Sequence, residues 1–543
     1  MSHATDPVAD LRAAVAAAAA ELSGNGATKS FSFDRPPKPE FGDYSTNAAM
    51  LLAPTMGEQP RTVAERLGGL VEERLSDGIA KVDVAGPGFL NLFMSDAWWR
   101  DSLTAALAAS DAFGGGTGAA TAERILVEFV SANPTGPVTV ASARHAAYGD
   151  SLSRILAFAG HEVEREYYVN DAGGQVRRFG ESIKARARGE EPPDDGYRGE
   201  YVVEIANQIE GAADADPDDL ARRGVELMIE GVQKTLERFG VEMDRFFFEH
   251  SVHEKGEIEH AIEILDQHGH IYEHEDAVWL RTTRFGDDKD RVLRRSSGEW
   301  TYFAADIAYH VDKRERGFDR VIDVWGADHH GYQQRMLAAW EALGGEPGKL
   351  ELIIMQLVNL VERGQRVQMS KRRGEFVTLD DLIDDIGTDA ARFFLLQRSH
   401  DTTLDLDLTL AREESRENPV YYVQYAHARI ASILRKAGDE RMQESLRASY
   451  SEELHPSERT LLKRLLAFPD EVAVAAARRA PHRLTTYALE AAQDFTRFYE
   501  DCRVVGAAEE GGDEDFRIAL CVMTQRVLAR SLELLGVSAP EHM

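Results

Sequence analysis

LVEFVSANPTGPVTVASARHAAYGD, residues 126–150, sets an apolar strand, a Pro/Gly turn and the opening of a helix one after another. The reading ends the strand at Val130 and turns the chain through Asn133-Pro134-Thr135-Gly136-Pro137. A helix then starts near Ala141 and runs through Ile155. The first-turn N–H groups of such a helix have no intrahelical partner and its dipole favours an anion, so the junction suits a phosphate. Strand–turn–helix junctions occur in every α/β protein, and alone this one does not separate a phosphate site from ordinary architecture.

Two further stretches point the same way. VWGADHHGYQQR (324–335) ends a strand with Gly326 and a carboxylate, Asp328, where ribose hydroxyls are commonly held. VQMSKRRGEF (367–376) puts Ser370, Lys371, Arg372 and Arg373 beside Gly374 on a loop, a cationic device suited to a triphosphate. By itself the basic run reads as a solvated turn.

Composition bounds the rest. A chain of 543 residues is too long for one hydrophobic core, and three or four domains are expected. No apolar stretch approaches the ~20 residues needed to span a bilayer. The Ala-rich start, LRAAVAAAAAEL, lacks a basic leader and a cleavage pattern and reads as an amphipathic helix. Cys502 and Cys521 are too few for a disulfide framework or a four-ligand zinc site, and the cytoplasm is the expected compartment. A net charge of −31, from 62 basic and 93 acidic residues, argues against non-specific nucleic-acid coating and against anionic membranes. It leaves room for local basic patches that bind RNA. Solubility and salt adaptation explain the acidity equally well.

Along the chain, residues 8–22 and 61–76 have helical periodicity, and KVDVAG and FLNLF alternate like strands. These make residues 1–112 a small α+β N-terminal domain. FGGGTGAAT (113–121) is a flexible linker by composition. Over 122–409, RILVEFV, RVIDVWGA and ELIIMQLV alternate with helices, the order of a Rossmann-like, doubly wound parallel sheet. An insertion is expected at about 175–295. Residues 410–543 are helical almost throughout, an all-α bundle. The fold class is therefore multidomain α/β, without an internal repeat of 20–50 residues.

The order ANPTGP…AAYGD, TYFAADIAYH, VWGADHHGY and MSKRRGEFVTLDDL resembles the class I arginyl-tRNA synthetases of the bacterial type. PPKPEFGDYSTNAAMLLA (36–53) and VAGPGFLNLFMS resemble that family's N-terminal RNA-binding domain. NPVYYVQYAHAR and VLARSLELLGVSAPEHM resemble its helical anticodon-binding domain, so the likeness covers nearly the whole chain. It implies activation of L-arginine with ATP and transfer of the arginyl group to the 3′-terminal adenosine of tRNA(Arg). Mg²⁺ would accompany the ATP, with no zinc and no membrane, and the protein is expected to be a monomer.

By motif match, Asp306 and Glu128 are the candidates for the arginine guanidinium, because a carboxylate meets its planar fork and discriminates against lysine. Tyr302 would lie against the guanidinium end and Asn133 would hold the α-amino group. A helix cap for Asp306 and a strand-edge charge for Glu128 are the competing readings. Gly326 and Asp328 would contact the ATP ribose with His329 nearby, and Met369 would lie under the adenine. Lys371, beside Ser370, would stabilise the departing pyrophosphate. The resemblance also implies that Thr139, Ala141 and Ser142 face the nucleotide, and that Thr139, Ser142, Ser370 and Lys371 form the catalytic set.

Two departures stand out. The family's His-x-Gly-His is Thr139-Val140-Ala141-Ser142 here, and its Lys-Met-Ser-Lys begins with Gln368. Some family members lack the second lysine and carry another just before the histidine motif; this chain keeps Lys371 and has Gly136 there. Losing one donor to a transition-state oxyanion costs ~10²–10³ in rate. Both replacements are hydroxyls able to reach phosphate oxygens directly or through water, roughly half as strong as charged donors. The expectation is that Thr139 and Ser142 share the work with His145, one turn later; packing or solvent exposure is the rival reading of that histidine. The Ala141 methyl stands where glycine would let the adenine lie close.

The missing histidines leave two alternatives: a catalytically impaired tRNA-binding paralogue, and an adenylate-forming enzyme with a non-tRNA acceptor. Tyr421, Tyr422, Tyr425 and Arg429, with Arg478, Arg479, Arg483, Arg497 and Arg503, are candidates for anticodon contacts or, equally, for bundle core and solvated surface.

Overall fold

A computed structural model describes residues 6–24, 30–36, 38–116, 121–367, 370–371, 375–451 and 453–543. The central sheet has five parallel strands: β1 (Arg124–Glu128), β2 (Glu162–Val169), β3 (Arg245–Phe248), β4 (Arg320–Gly326) and β5 (Leu350–Met355). Their spatial order is β5-β4-β1-β2-β3, a doubly wound sheet whose order reverses between β1 and β4. Ligands of such sheets bind beyond the carboxyl ends of the strands at that switch point. Helix α1 (Val140–Phe158) crosses from β1 to β2, and α2 (Tyr302–Glu315) leads into β4. Gly149 on α1 lets the helix touch the sheet: a Cβ there would lie 2.1 Å from the Phe129 ring.

The stretch 175–295, expected as one insertion, is interrupted by a strand of the central sheet. RFFF (245–248) forms β3 at its edge. Two excursions result, because the buried-strand signal is only four residues long and is flanked by longer helical patterns. The first carries helices Gly174–Ala187, Glu200–Gln208 and Pro217–Arg238, and the second holds an antiparallel three-stranded sheet including Ala277–Leu280.

The N-terminal part packs four helices on an antiparallel four-stranded sheet, with Leu90, Leu92 and Met94 alternating into its core around a fully buried Trp99. Of the expected linker, residues 117–120 lie outside the described residues. Its first part is docked: Phe113 is buried and stacks on Phe468, at 6.4 Å between centroids. The C-terminal part is helical, closed by Glu514–Leu534, which is buried along most of its length. Arg392, fully buried, donates to the carbonyls of Phe239 and Leu535 at 3.0 Å and to the Asp150 carboxylate, tying α1 to the bundle. No helix among the described residues is long and apolar enough to cross a membrane.

Candidate active site

β1 ends at Glu128, two residues before the expected Val130, and the reason lies in the backbone. Val130 (φ 71°) and Ser131 (φ 40°) are left-handed, a conformation that a β-branched residue adopts only when its surroundings enforce it. The Ser131 hydroxyl donates to Glu128 Oε1 at 2.8 Å and accepts from the Tyr168 N–H at 3.1 Å. Tyr201, from the first excursion, donates to the Thr135 carbonyl at 2.8 Å. The strained turn is thus held from three sides.

Beyond β1 and β4 opens a cavity of about 770 Å³. Eight of the sequence-predicted residues line it: Glu128, Asn133, His145, Tyr302, Asp306, Gly326, Asp328 and His329. Asp306 is half-buried on α2; its carboxylate accepts from the Tyr332 hydroxyl, and desolvation raises its pKa. Tyr302 stands at the mouth, 67% exposed, with its hydroxyl 3.3 Å from the position of a Cβ on Gly173. Asn133 Oδ1 accepts from Gln175 at 3.3 Å. At Gly326 a Cβ would meet Asp328 Oδ1 at 2.5 Å, so glycine lets that carboxylate fold back toward the strand end.

Glu128 reaches the wall with both oxygens engaged. Lys313 Nζ donates to Oε2 at 2.6 Å, and Ser131 holds Oε1. Lys313 also bonds Asp323 Oδ1 at 2.8 Å, and His310 bridges Asp323 Oδ2 at 2.9 Å to the Asp306 carbonyl at 2.7 Å. Burial alone would lower the Lys313 pKa. The carboxylates of Asp323 and Glu128 outweigh it and hold the pKa raised, so the ammonium stays charged.

The carboxylate with a spare acceptor is Glu249, immediately after β3, which the sequence reading missed. The carboxyl stands near the Tyr168 hydroxyl, its Oε2 is buried without a hydrogen-bond partner among the described residues, and burial, reinforced by Asp306, pushes its pKa up to about 7. An amino-acid side chain that brought a planar cation between Asp306 and Glu249 would satisfy both. The one signal for Glu249 is a charge ending the FFF strand, which is no rarer than an ordinary strand-end residue.

On the other side, Thr139 is the N-cap of α1 and accepts from the Ser142 N–H at 3.4 Å; the two hydroxyl oxygens are 3.4 Å apart. Ala141 is exposed. Neither Thr139 nor Ser142 lines the cavity, whereas His145 does. The helix start is tied to the segment that follows the basic loop: Val140 N–H donates to Val377, and Leu379 N–H to Val138. Ser370 and Lys371 form a short strand paired with Glu375–Phe376, so the loop's base stands beside the N-terminus of α1. Met369, Arg372, Arg373 and Gly374 lie outside the described residues.

Three spans of the chain match known families: residues 9–94 the arginyl tRNA synthetase N terminal domain, 198–415 the class I (R) tRNA synthetase catalytic domain, and 423–543 the DALR anticodon binding domain. The arginine–tRNA ligase of Moorella thermoacetica is 44% identical over 550 residues, covering 98% of this chain and 97% of its own. The chain belongs to the arginyl-tRNA synthetase family. A Campylobacter jejuni structure assigned as an arginyl-tRNA synthetase is 34% identical to this synthetase, with a TM-score of 0.76 over 83% of this chain and all of that one. The Thermus thermophilus arginyl-tRNA synthetase, 24% identical, shares the fold, with a TM-score of 0.78 over 98% of this chain and all of that one.

In the synthetase's C-terminal part, Tyr421 and Tyr425 stack at 6.3 Å, and Arg429 lies over Tyr425 at 4.9 Å and over Tyr499 at 5.2 Å. Tyr425 and Tyr499 are exposed. Tyr422 instead bonds Thr496 at 2.9 Å, and Arg479 grips Glu351 of β5 with two 2.9 Å bonds. These two are structural.

Proposed function

We propose that this arginine–tRNA ligase works through one cavity with two halves. In the first, Asp306 and Glu249 grip the arginine guanidinium under Tyr302, while Asn133 and the Lys313-braced Glu128 face the α-amino end. In the second, Gly326, Asp328 and His329 receive the ATP ribose, and Met369 is assigned to the adenine by its motif alone. Thr139 and Ser142, which stand at the N-cap of α1 just outside the cavity lining, would act on the phosphates with Ser370 and Lys371, and exposed Ala141 would face the base. The arginine carboxylate attacks the α-phosphorus, pyrophosphate leaves toward Lys371, and the 3′-terminal adenosine hydroxyl of tRNA(Arg) then displaces AMP from the arginyl-adenylate. Mg²⁺ carried on the triphosphate would offset its charge.

The observation that carries the amino-acid half is Glu249 Oε2, buried beside Asp306 without a hydrogen-bond partner among the described residues. We assign residues 1–112 and 410–543 to tRNA, with 122–409 as the catalytic unit and 113–121 as the join between them. The Tyr421–Tyr425–Arg429 platform, half-buried except for exposed Tyr425, would stack anticodon bases. The protein is expected to act as a cytoplasmic monomer. ATP–pyrophosphate exchange with arginine, run with and without tRNA(Arg), tests the reading. Exchange that depends on arginine, together with charging of tRNA, supports it. Exchange without charging points to another acceptor, and no exchange in either arm leaves a tRNA-binding paralogue.

A further inference from the structure

His145 is the one histidine of α1, and its neighbour explains where it points. Arg144 is fully buried and donates to three carbonyls, Gln356 at 2.7 Å, Thr402 at 2.9 Å and Ser399 at 2.9 Å. These bonds lock the helix about its own axis. Successive helical residues are turned by about 100°, and residue 145 is thereby directed to the switch point. There the imidazole lines the cavity, with Cε1 3.8 Å from where a Cβ of Gly326 would sit, next to Asp328 and His329.

The ring has no hydrogen-bond partner among the described residues, which separates it from His310, whose two nitrogens are both engaged inside the protein. Burial, with Arg144 adjacent, pushes the His145 pKa down to about 4. At neutral pH the ring is therefore uncharged, with one N–H to donate and one nitrogen to accept. Thr139 and Ser142, by contrast, engage each other at the helix cap and do not line the cavity.

We propose that His145 contacts the nucleotide, donating a hydrogen bond to the ribose–phosphate of ATP and of the adenylate formed from it, one helical turn from the positions where the related motif places imidazoles. This rests on reading the cavity as the ATP site. The adenylate's α-phosphate gains charge density as pyrophosphate departs, and a donor already fixed by a locked helix needs no reorganisation to meet it.

The test compares the full-length wild type with His145→Ala and His145→Gln in arginine-dependent ATP–pyrophosphate exchange with tRNA(Arg) present, together with thermal unfolding. We expect His145→Ala to lower kcat/KM for ATP by about 10²-fold, the size of one lost donor, while KM for arginine and the unfolding midpoint stay at the wild-type values. His145→Gln, whose amide can donate to the same region, recovers a substantial part of that loss. Unchanged kcat/KM for ATP in His145→Ala overturns the proposal, as does an equal loss in both variants accompanied by a lower unfolding midpoint, which marks a packing role. A wild type without exchange overturns the ATP reading itself; a wild type that exchanges beside an unaffected His145→Ala overturns this inference alone.

Discussion

The two halves of the cavity are built differently. The half we assign to the amino acid is charged and braced: buried Glu249 and Glu128 and half-buried Asp306 sit on the ends of sheet strands and a packed helix, with Lys313 locked behind them. The half we assign to the nucleotide is lined by uncharged or exposed groups, namely His145, Gly326, Asp328 and His329, and the base of the Ser370–Lys371 loop stands beside the N-cap of α1. The difference teaches where specificity and turnover reside. A guanidinium must be told from an ammonium, which demands rigid, desolvated carboxylates. A triphosphate needs donors at a developing charge, and these can be supplied by more than one arrangement of side chains.

The sharpest way to break the amino-acid half is to remove its brace. Lys313→Met leaves Glu128 and Asp323 facing each other in the interior, and should cost about 3–5 kcal/mol of stability, the scale of a broken buried pair. Urea unfolding monitored by circular dichroism reads it directly. Next, Asp306→Asn keeps the shape but removes the charge; an increase in KM for arginine of about 10²-fold, with KM for ATP unchanged, is expected from losing one partner of a buried charge pair. If both constants rise together, the two halves are not separable.

A pH profile sharpens the comparison further. Glu249 is protonated below about 7 and then cannot pair with a guanidinium, so kcat/KM for arginine should climb about fivefold between pH 6 and 7. Glu249→Gln should flatten the slope. Because this carboxyl's folded-state pKa is raised, its contribution to the stability of the unliganded protein is greatest in acid and is lost as pH rises through about 7. Bound arginine removes that loss. Melting curves at pH 5.5 and 8, with and without arginine, distinguish the two signs. The smallest effect belongs to the other half: Ser142→Ala, which removes a hydroxyl outside the cavity lining, should slow adenylate formation only about two- to threefold, far below the ~10² of a full donor, and leave KM for arginine unchanged. Unaltered single-turnover adenylate formation would remove this hydroxyl from the mechanism.

Much of this was open to reading from the chain. Pro/Gly at 134–137 and a Thr cap place the start of α1, and the three apolar strands β1, β4 and β5 follow from length and flanking turns. Eight residues quoted from motifs converge on one cavity. What stayed hidden has a common physical cause. Lys313 lies in DKRER, which reads as a solvated helix face, and only the fold buries it between two carboxylates. Glu249 is one glutamate among many. Arg144 and His145 are adjacent, yet one is a structural clamp and the other faces the site.

The amino-acid order by itself determined the elements, their succession and the family likeness, because capping, turn chemistry and apolar periodicity act over a few neighbouring residues. Which carboxylate keeps a free oxygen, which is neutralised from behind, and which side of α1 meets the ligand were decided only by tertiary packing. Those outcomes depend on atoms brought together from β1, β3, β4 and α2 across almost 200 residues of chain, and on burial, which no local pattern encodes.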